Sequence, residues 1–362
     1  MHMADALLSP AVGLAMDAVG VIAIGVSAAG VKKDELSEKK IPIMGVAGAM
    51  VFAGQMINFA IPGTGSSGHI GGGILLAGLL GGAPAFLSIA AVLIIQCLFF
   101  ADGGLLALGS NIFNMGAIPC LLVYPLVFRP LLKRGVNVKR LSAASVISAV
   151  IALELGAFLV VLQTTLSGIT ALPFGAFTAL MLPIHLAIGA IEGIVTAAIL
   201  CFVYKMRPEI IDSSITGGGL DGVPTRKILI TLAALTIIAG GVLSLFASKD
   251  PDGLEWAASR TAESAVITSE AVSVSETGAS SKDALAPEAG GTDAGVAGGF
   301  FDAAANIQEN TAFLPDYSFA ADPDDPVGTS LSGLIGAAIA FALACAAGVL
   351  ITAVKKRKRR NA

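Results

Sequence analysis

The sequence predicts an all-α, polytopic membrane protein: seven membrane-crossing helices followed by two more. Three observations carry this. Of 362 residues, 55% are apolar and only 13% are charged, roughly half the charged fraction of a soluble domain. Mean hydropathy is +0.83. Apolar runs of about 20 residues recur along the chain, the length with which a helix spans a hydrocarbon core of about 30 Å while satisfying its own backbone hydrogen bonds. The 43 glycines suit such a bundle, since small residues let membrane helices approach closely.

The runs cover, in order, about 9–30, 42–61, 70–100, 104–128, 141–166, 174–204, 227–247 and 329–354. Basic residues cluster between them: Lys32, Lys33, Lys39 and Lys40; then Arg129, Lys133, Arg134, Lys139 and Arg140; then Lys205, Arg207, Arg226 and Lys227; then Lys355 to Arg360. Such clusters face the cytoplasm. A single helix over 70–100 would put the second cluster outside. Gly81-Gly82-Ala83-Pro84 disfavours a continuous helix, and a break there restores parity. The result is nine crossings, with a short descending piece over about 70–81. The N-terminus is then outside and the C-terminus cytoplasmic. The expected organisation is a seven-helix unit over 1–205, a cytoplasmic linker over 206–226, and a two-helix unit over 227–362.

Between the last two helices, 248–328 is expected outside. It holds 15 acidic residues against three basic ones. Its middle is rich in Ala, Ser, Thr and Gly, and so is expected to be largely disordered. The aromatic ends, Pro251-Asp-Gly-Leu-Glu-Trp256 and Leu314-Pro-Asp-Tyr-Ser318, read as anchors at the outer interface. The cysteines Cys97, Cys120, Cys201 and Cys345 stand singly in apolar segments and read as packing residues.

The chain contains three histidines, His2, His69 and His185. MHMADALLSP lacks the basic start of a cleavable signal peptide, so Met1 is expected to be the N-terminus. The Met1 amine, the His2 amide nitrogen and the His2 imidazole can then close a five-membered and a six-membered chelate ring around one ion. A deprotonated amide in a planar nitrogen field points to Ni(II) or Cu(II). His69, on the same side of the membrane by the parity argument, could supply the fourth nitrogen. It sits in Gly63-Thr-Gly-Ser-Ser-Gly-His-Ile-Gly-Gly-Gly73, which lacks the Lys-Ser/Thr of a phosphate loop. Taken singly, either histidine reads as a polar loop residue; together, in a chain this poor in histidine, they read as a metal site.

Ionisable and amide groups inside the membrane segments are functional candidates. His185 and Glu192 are two helical turns apart on one face. They read either as a release relay or as hydrogen-bonding partners of neighbouring helices. Asn111, Asn114, Gln55 and Asn58 could orient the outer site, and Asp102 could fix a histidine tautomer. Asp17 and Glu154 are further candidates that nothing in the sequence assigns. An intramembrane metalloenzyme built on His185 and Glu192 is disfavoured, because no HExxH is present. A pure scaffold with a frayed N-terminus is the other alternative. No nucleic-acid partner is expected.

Met1-His-Met-Ala-Asp-Ala-Leu-Leu-Ser-Pro10, Gly68-His-Ile-Gly-Gly-Gly73, Ala101-Asp-Gly-Gly-Leu-Leu-Ala-Leu-Gly-Ser-Asn111 and His185-Leu-Ala-Ile-Gly-Ala-Ile-Glu-Gly-Ile-Val-Thr196 resemble the CbiM/NikM family. These are substrate-capture components of energy-coupling-factor cobalt and nickel importers. The resemblance covers about 1–205. The rest, with Pro251-Asp-Gly-Leu-Glu255, resembles the two-helix N component of the same systems, fused here. The resemblance implies Ni(II) or Co(II) as transported substrate, with no permanent cofactor. It also implies metal ligation by the Met1 amine, the His2 amide and imidazole, and His69. The implied partners are a membrane coupling subunit and two ATP-hydrolysing subunits. The implied location is the plasma membrane of a prokaryote, and no catalysis is expected of this chain, which has no Walker motif.

Overall fold

In the computed structural model, residues 1–31, 39–276, 293–319 and 325–360 are described. Lys32 and Lys33, residues 277–292, and Asp322 and Asp324 of the acidic segment lie outside them. Among the described residues, seven helices are long and apolar enough to cross a membrane, and the chain is a multi-pass membrane protein. They are α1 (Pro10–Gly30), α4 (Gly82–Phe100), α5 (Leu108–Leu132), α6 (Val138–Ser167), α7 (Phe174–Met206), α9 (Arg226–Phe246) and α12 (Pro326–Arg360). A shorter apolar helix, α2 (Lys40–Gln55), joins them.

The chain breaks where Gly81-Gly82 predicts a break: α3 (Gly73–Leu80) ends, Gly81 takes φ +88°, and α4 begins at Gly82. A side chain at Gly81 would be strained by that backbone. The descending piece is shorter than the expected 70–81, however. Eight residues of helix rise about 12 Å, less than half a bilayer core. The remainder of this passage is irregular chain packed within the protein, the setting in which non-helical backbone is tolerated at membrane depth. The second apolar run likewise ends early. Its last residues, Phe59–Ile61 (β1), pair antiparallel with Ser66–Gly68 (β2). That hairpin delivers the chain to His69.

Within α5, residues Ile112–Phe128 are wound as a π-helix containing Pro119 and Pro125, each of which removes a backbone donor. Helices α6 and α7 form the most extensive pair, and α12 packs on α2, α9 and α4. The last two crossings therefore lie against the first unit. Where α9 meets α12, a Cβ on Gly333 would fall 2.8 Å from the Gly240 carbonyl oxygen, so the pair depends on two bare backbones.

Where described, the external segment contains the helices α10 (Gly253–Glu276) and α11 (Asp293–Thr311); residues 277–292 of the middle expected to be disordered lie outside the described residues. The start of α10 packs inward, Leu254 and Ala257 being buried with Met3, Phe177 and Met181. Apolar burial against the first unit provides the driving force that the segment's own composition lacks. The chain from Pro208 to Thr216 forms a further short helix, α8, and Ser214 on it donates to the Gly78 carbonyl within α3.

Candidate metal centre

The N-terminal residues do not fray. Ser9 caps α1, with Pro10 in its first turn, and the preceding residues run inward along the loop that follows α4. Asn111 holds them by two contacts, accepting from Met3 N at 2.8 Å and donating to Met3 O at 3.1 Å. Gly104 N donates to the same carbonyl at 2.9 Å, and Asp5 Oδ1 accepts from Ala107 N at 3.0 Å. Met3 and Leu8 are fully buried. The first two residues are thereby carried into the bundle.

There the His2 and His69 rings stack, with centroids 5.3 Å apart and planes 20° from parallel. Burial, then the positive Met1 amine, holds the His2 imidazole down at about 3. The same causes, with His2 added, hold His69 at about 4. Both rings are therefore neutral at physiological pH, as metal ligands must be. His69 Nδ1 lies 3.0 Å from the Ile70 carbonyl. His2 Nδ1 lies 3.2 Å from Asp102 Oδ1, and its Nε2 is buried with no partner.

The glycine-rich chain bearing His69 is held from two sides. Gln55 Nε2 donates to Gly71 O at 3.0 Å, and Gln55 Oε1 accepts from Gln96. Glu192, almost wholly buried, accepts from Gly71 N at 2.8 Å and Gly72 N at 3.0 Å. The expected His185–Glu192 face is thus shared by two residues with separate contacts. His185 Nδ1 lies 2.8 Å from Met181 O in its own helix, and its buried Nε2 has no partner. Asn114 pairs reciprocally with Gln163 and reaches Met3 Sδ at 3.8 Å. Asn58 is not brought to the site. Its side-chain oxygen is buried without a partner, and its carbonyl accepts from Ser248.

Residues from the external segment complete the surroundings, which the sequence reading missed. Asp252 Oδ2 lies 2.6 Å from the Met1 amine. Burial alone would raise its carboxyl, but the ammonium beside it holds it well below the usual carboxylate range. Tyr317 donates to Asp102 Oδ2 at 2.5 Å, and burial pushes the Asp102 carboxyl up. Trp256 Nε1 donates to Thr64 O at 2.9 Å, and Gln308 Nε2 to Gly103 O at 2.9 Å. The ends of the segment are therefore packed on the first unit's loops. Their polar tips found inward acceptors, which composition alone could not reveal.

A cavity of about 20 Å³ adjoins these groups, with Met1, His69, His185 and Asp252 in its wall. That is room for one water or one bare ion. Among the described residues, no three His, Cys, Asp or Glu side chains form a ready-made metal cluster. A helical membrane bundle enclosing its own amine terminus and two neutral imidazoles defines a membrane protein with an ion-sized, nitrogen-rich pocket. Comparison with known proteins agrees. The CbiM family, described as a cobalt uptake substrate-specific transmembrane region, matches residues 2–210, and the PDGLE domain matches 226–290 and 285–353. The chain belongs to the CbiM family, with a fused PDGLE unit, and is a metal-transport component. It is 30% identical to a fused nickel transport protein NikMN of Rhodobacter capsulatus, covering 94% of this chain and 95% of that protein. A cobalt transport protein CbiM of Geobacter sulfurreducens is 27% identical over 55% of this chain and 58% of its own length. A solved transition metal transporter is 28% identical, with a TM-score of 0.50, covering 59% of this chain and 98% of that structure.

Proposed function

We propose that the chain is the membrane-embedded substrate-binding component of an energy-coupling-factor importer for Ni(II) or Co(II). The Met1 amine, the His2 amide and imidazole, and His69 take the ion at the outer face. A membrane coupling subunit and two ATP-hydrolysing subunits then drive its delivery inward. Residues 1–205 would be the capture unit and 227–362 the N component, joined by the cytoplasmic linker 206–226. The N-terminus would lie outside and the C-terminus inside, in a prokaryotic plasma membrane.

The observation that carries this reading is the buried N-terminal dipeptide, stacked through His2 on His69. Hydrogen bonds that anchor Met3 and the Gly71–Gly72 chain support it by holding both partners in place. That relatives are named for nickel and for cobalt leaves both ions as substrates of the reading. The test is a competition titration of the purified chain with Ni(II) and Co(II), repeated with the amine acetylated. One tightly bound ion per chain, lost on acetylation, is the expected result; unchanged binding would remove the chelate.

A further inference from the structure

We propose that Asp252, from the fused PDGLE unit, is itself a ligand of the captured metal: an anionic oxygen donor added to the four nitrogens. This rests on the chelate reading above and extends it to a five-donor site built by both units of the chain.

The geometry comes first. Two donors bound at right angles to one ion, each at about 2.0–2.1 Å, lie about 2.9 Å apart. Asp252 Oδ2 is 2.6 Å from the Met1 nitrogen, so an ion that replaces the ammonium proton finds this oxygen within a few tenths of an ångström of a bonding position. The carboxylate is also aimed. Its other oxygen, Oδ1, accepts from Leu254 N at 2.8 Å and Glu255 N at 2.9 Å at the start of α10. The backbone before it runs beside β2: Ser67 N donates to Pro251 O at 2.8 Å, and Ser67 Oγ to Asp250 O at 2.7 Å. A Cβ on Gly253 would fall 3.2 Å from His185 Cε1, so the bare backbone at this point is what lets Asp252 come so close.

Charge balance points the same way. In the metal-free pocket the ammonium and carboxylate neutralise one another. A divalent ion bound to one deprotonated amide carries a net charge of +1, and Asp252 returns the total to zero. If the amine gave its lone pair to the ion while Asp252 stood apart, a largely buried carboxylate would lose its partner. No Lys or Arg is among the described residues lining the cavity. An unpaired charge in such surroundings is costly. A fifth donor, an oxygen, also takes the site away from the planar nitrogen field that favours Ni(II), so that Co(II) is accommodated as well.

The test uses the full-length chain loaded with one Ni(II) and read by X-ray absorption. Five-coordinate metal is expected in the native chain. In Asp252→Asn, where the asparagine still caps α10, four-coordinate planar Ni(II) is expected, with its characteristic edge feature. Co(II) affinity in that variant should fall at least tenfold more than Ni(II) affinity. Planar Ni(II) in the native chain, or an unchanged spectrum in Asp252→Asn, overturns the proposal. His69→Ala separates the two readings. If it leaves metal binding and spectrum unchanged, the chelate itself fails; if it disrupts both while Asp252→Asn changes nothing, only the fifth ligand fails.

Discussion

Asp252 and Met1 are separated by 251 positions, yet the carboxylate of one and the amine of the other lie 2.6 Å apart. The contact joins Met1 to the 251–255 stretch of the PDGLE unit. It makes the Met1 amine a packed structural element, with the Met1 side chain 9% exposed.

Adding a single alanine before Met1 should therefore abolish high-affinity binding. The added residue moves the amine out of the five-membered ring and forces backbone into a cavity of about 20 Å³. A loss of at least a hundredfold in Ni(II) affinity is expected by titration. A tag placed after Ala362 should leave affinity within twofold of native. Native affinity in the extended protein would show that the amine is not a ligand.

Removing Glu192 should loosen the chain that carries His69. Glu192→Ala leaves the Gly71 and Gly72 N–H groups without acceptors, each costing about 1–3 kcal/mol when buried. Thermal unfolding in detergent should move down by several degrees, and Ni(II) affinity should fall at least tenfold. A stable Glu192→Ala protein with native affinity would mean that the loop holds itself.

The pH dependence of binding has a definite sign. Burial keeps His2 at about 3 and His69 at about 4, so between pH 6 and 8 neither ring binds a proton that the metal must displace. Any protons released on binding should therefore come from the main-chain nitrogens and not from the imidazoles. Affinity should fall as pH drops, as measured by titration in buffers of different ionisation heat. Release of three or four protons would show the rings charged before loading.

The same two imidazoles affect folding. Their folded pKa values lie below the ordinary 6.5, so the unfolded chain takes up protons that the folded one refuses. Stability from this source is complete above about pH 6.5 and declines as pH falls from there toward 4 and 3. Denaturation midpoints of native protein and a His2→Ala, His69→Ala double variant should converge or cross as pH is lowered from 7 to 5. Parallel curves would place both rings in contact with water.

Sidedness can be read with cysteine labelling. Pro62 and Arg134 are exposed, in the hairpin loop and the basic loop respectively. Cysteine at 62 should react with an impermeant reagent from outside the cell, and cysteine at 134 only from inside. Labelling of both from one side would overturn the passage through α3. Ser66, though in the same glycine-rich stretch, is fully buried and would report nothing.

How much of this was legible in the chain depends on what kind of force places each residue. The long helices follow from hydropathy, and the break at Gly81 from local backbone preference, so both could be read directly. His2 and His69 could be paired because histidine is scarce and the parity of basic loops put them on one side. Asn111 and Gln55 were candidates by polarity alone, and each proved to hold the main chain beside a histidine. Asp252 escaped because its partner is the N-terminal amine, which no side-chain pattern displays. One signal was present: Asp252 and Glu255 stand three apart, and they form a reciprocal helix cap, Asp252 Oδ1 accepting from Glu255 N and Asp252 N facing Glu255 Oε2 at 3.4 Å. That spacing announces the start of α10. Asn58, by contrast, had the right polarity and neighbourhood but faces the approach of Ser248, a tertiary detail outside the reach of pattern.

The strand-like run of residues 250–252 beside β2, stitched by Ser67, has a consequence for how the two units are joined. A cover supplied by a separate polypeptide must be recruited from the membrane at whatever abundance the cell maintains. Here the same cover is tethered by one chain and by two helices packed on α2, so its effective concentration at the pocket is set by geometry, on the millimolar scale of short tethers. One cover is made for each pocket at every expression level. A weak individual contact is then sufficient, because the tethered residues 250–252 stay within reach of β2 whenever that contact is lost.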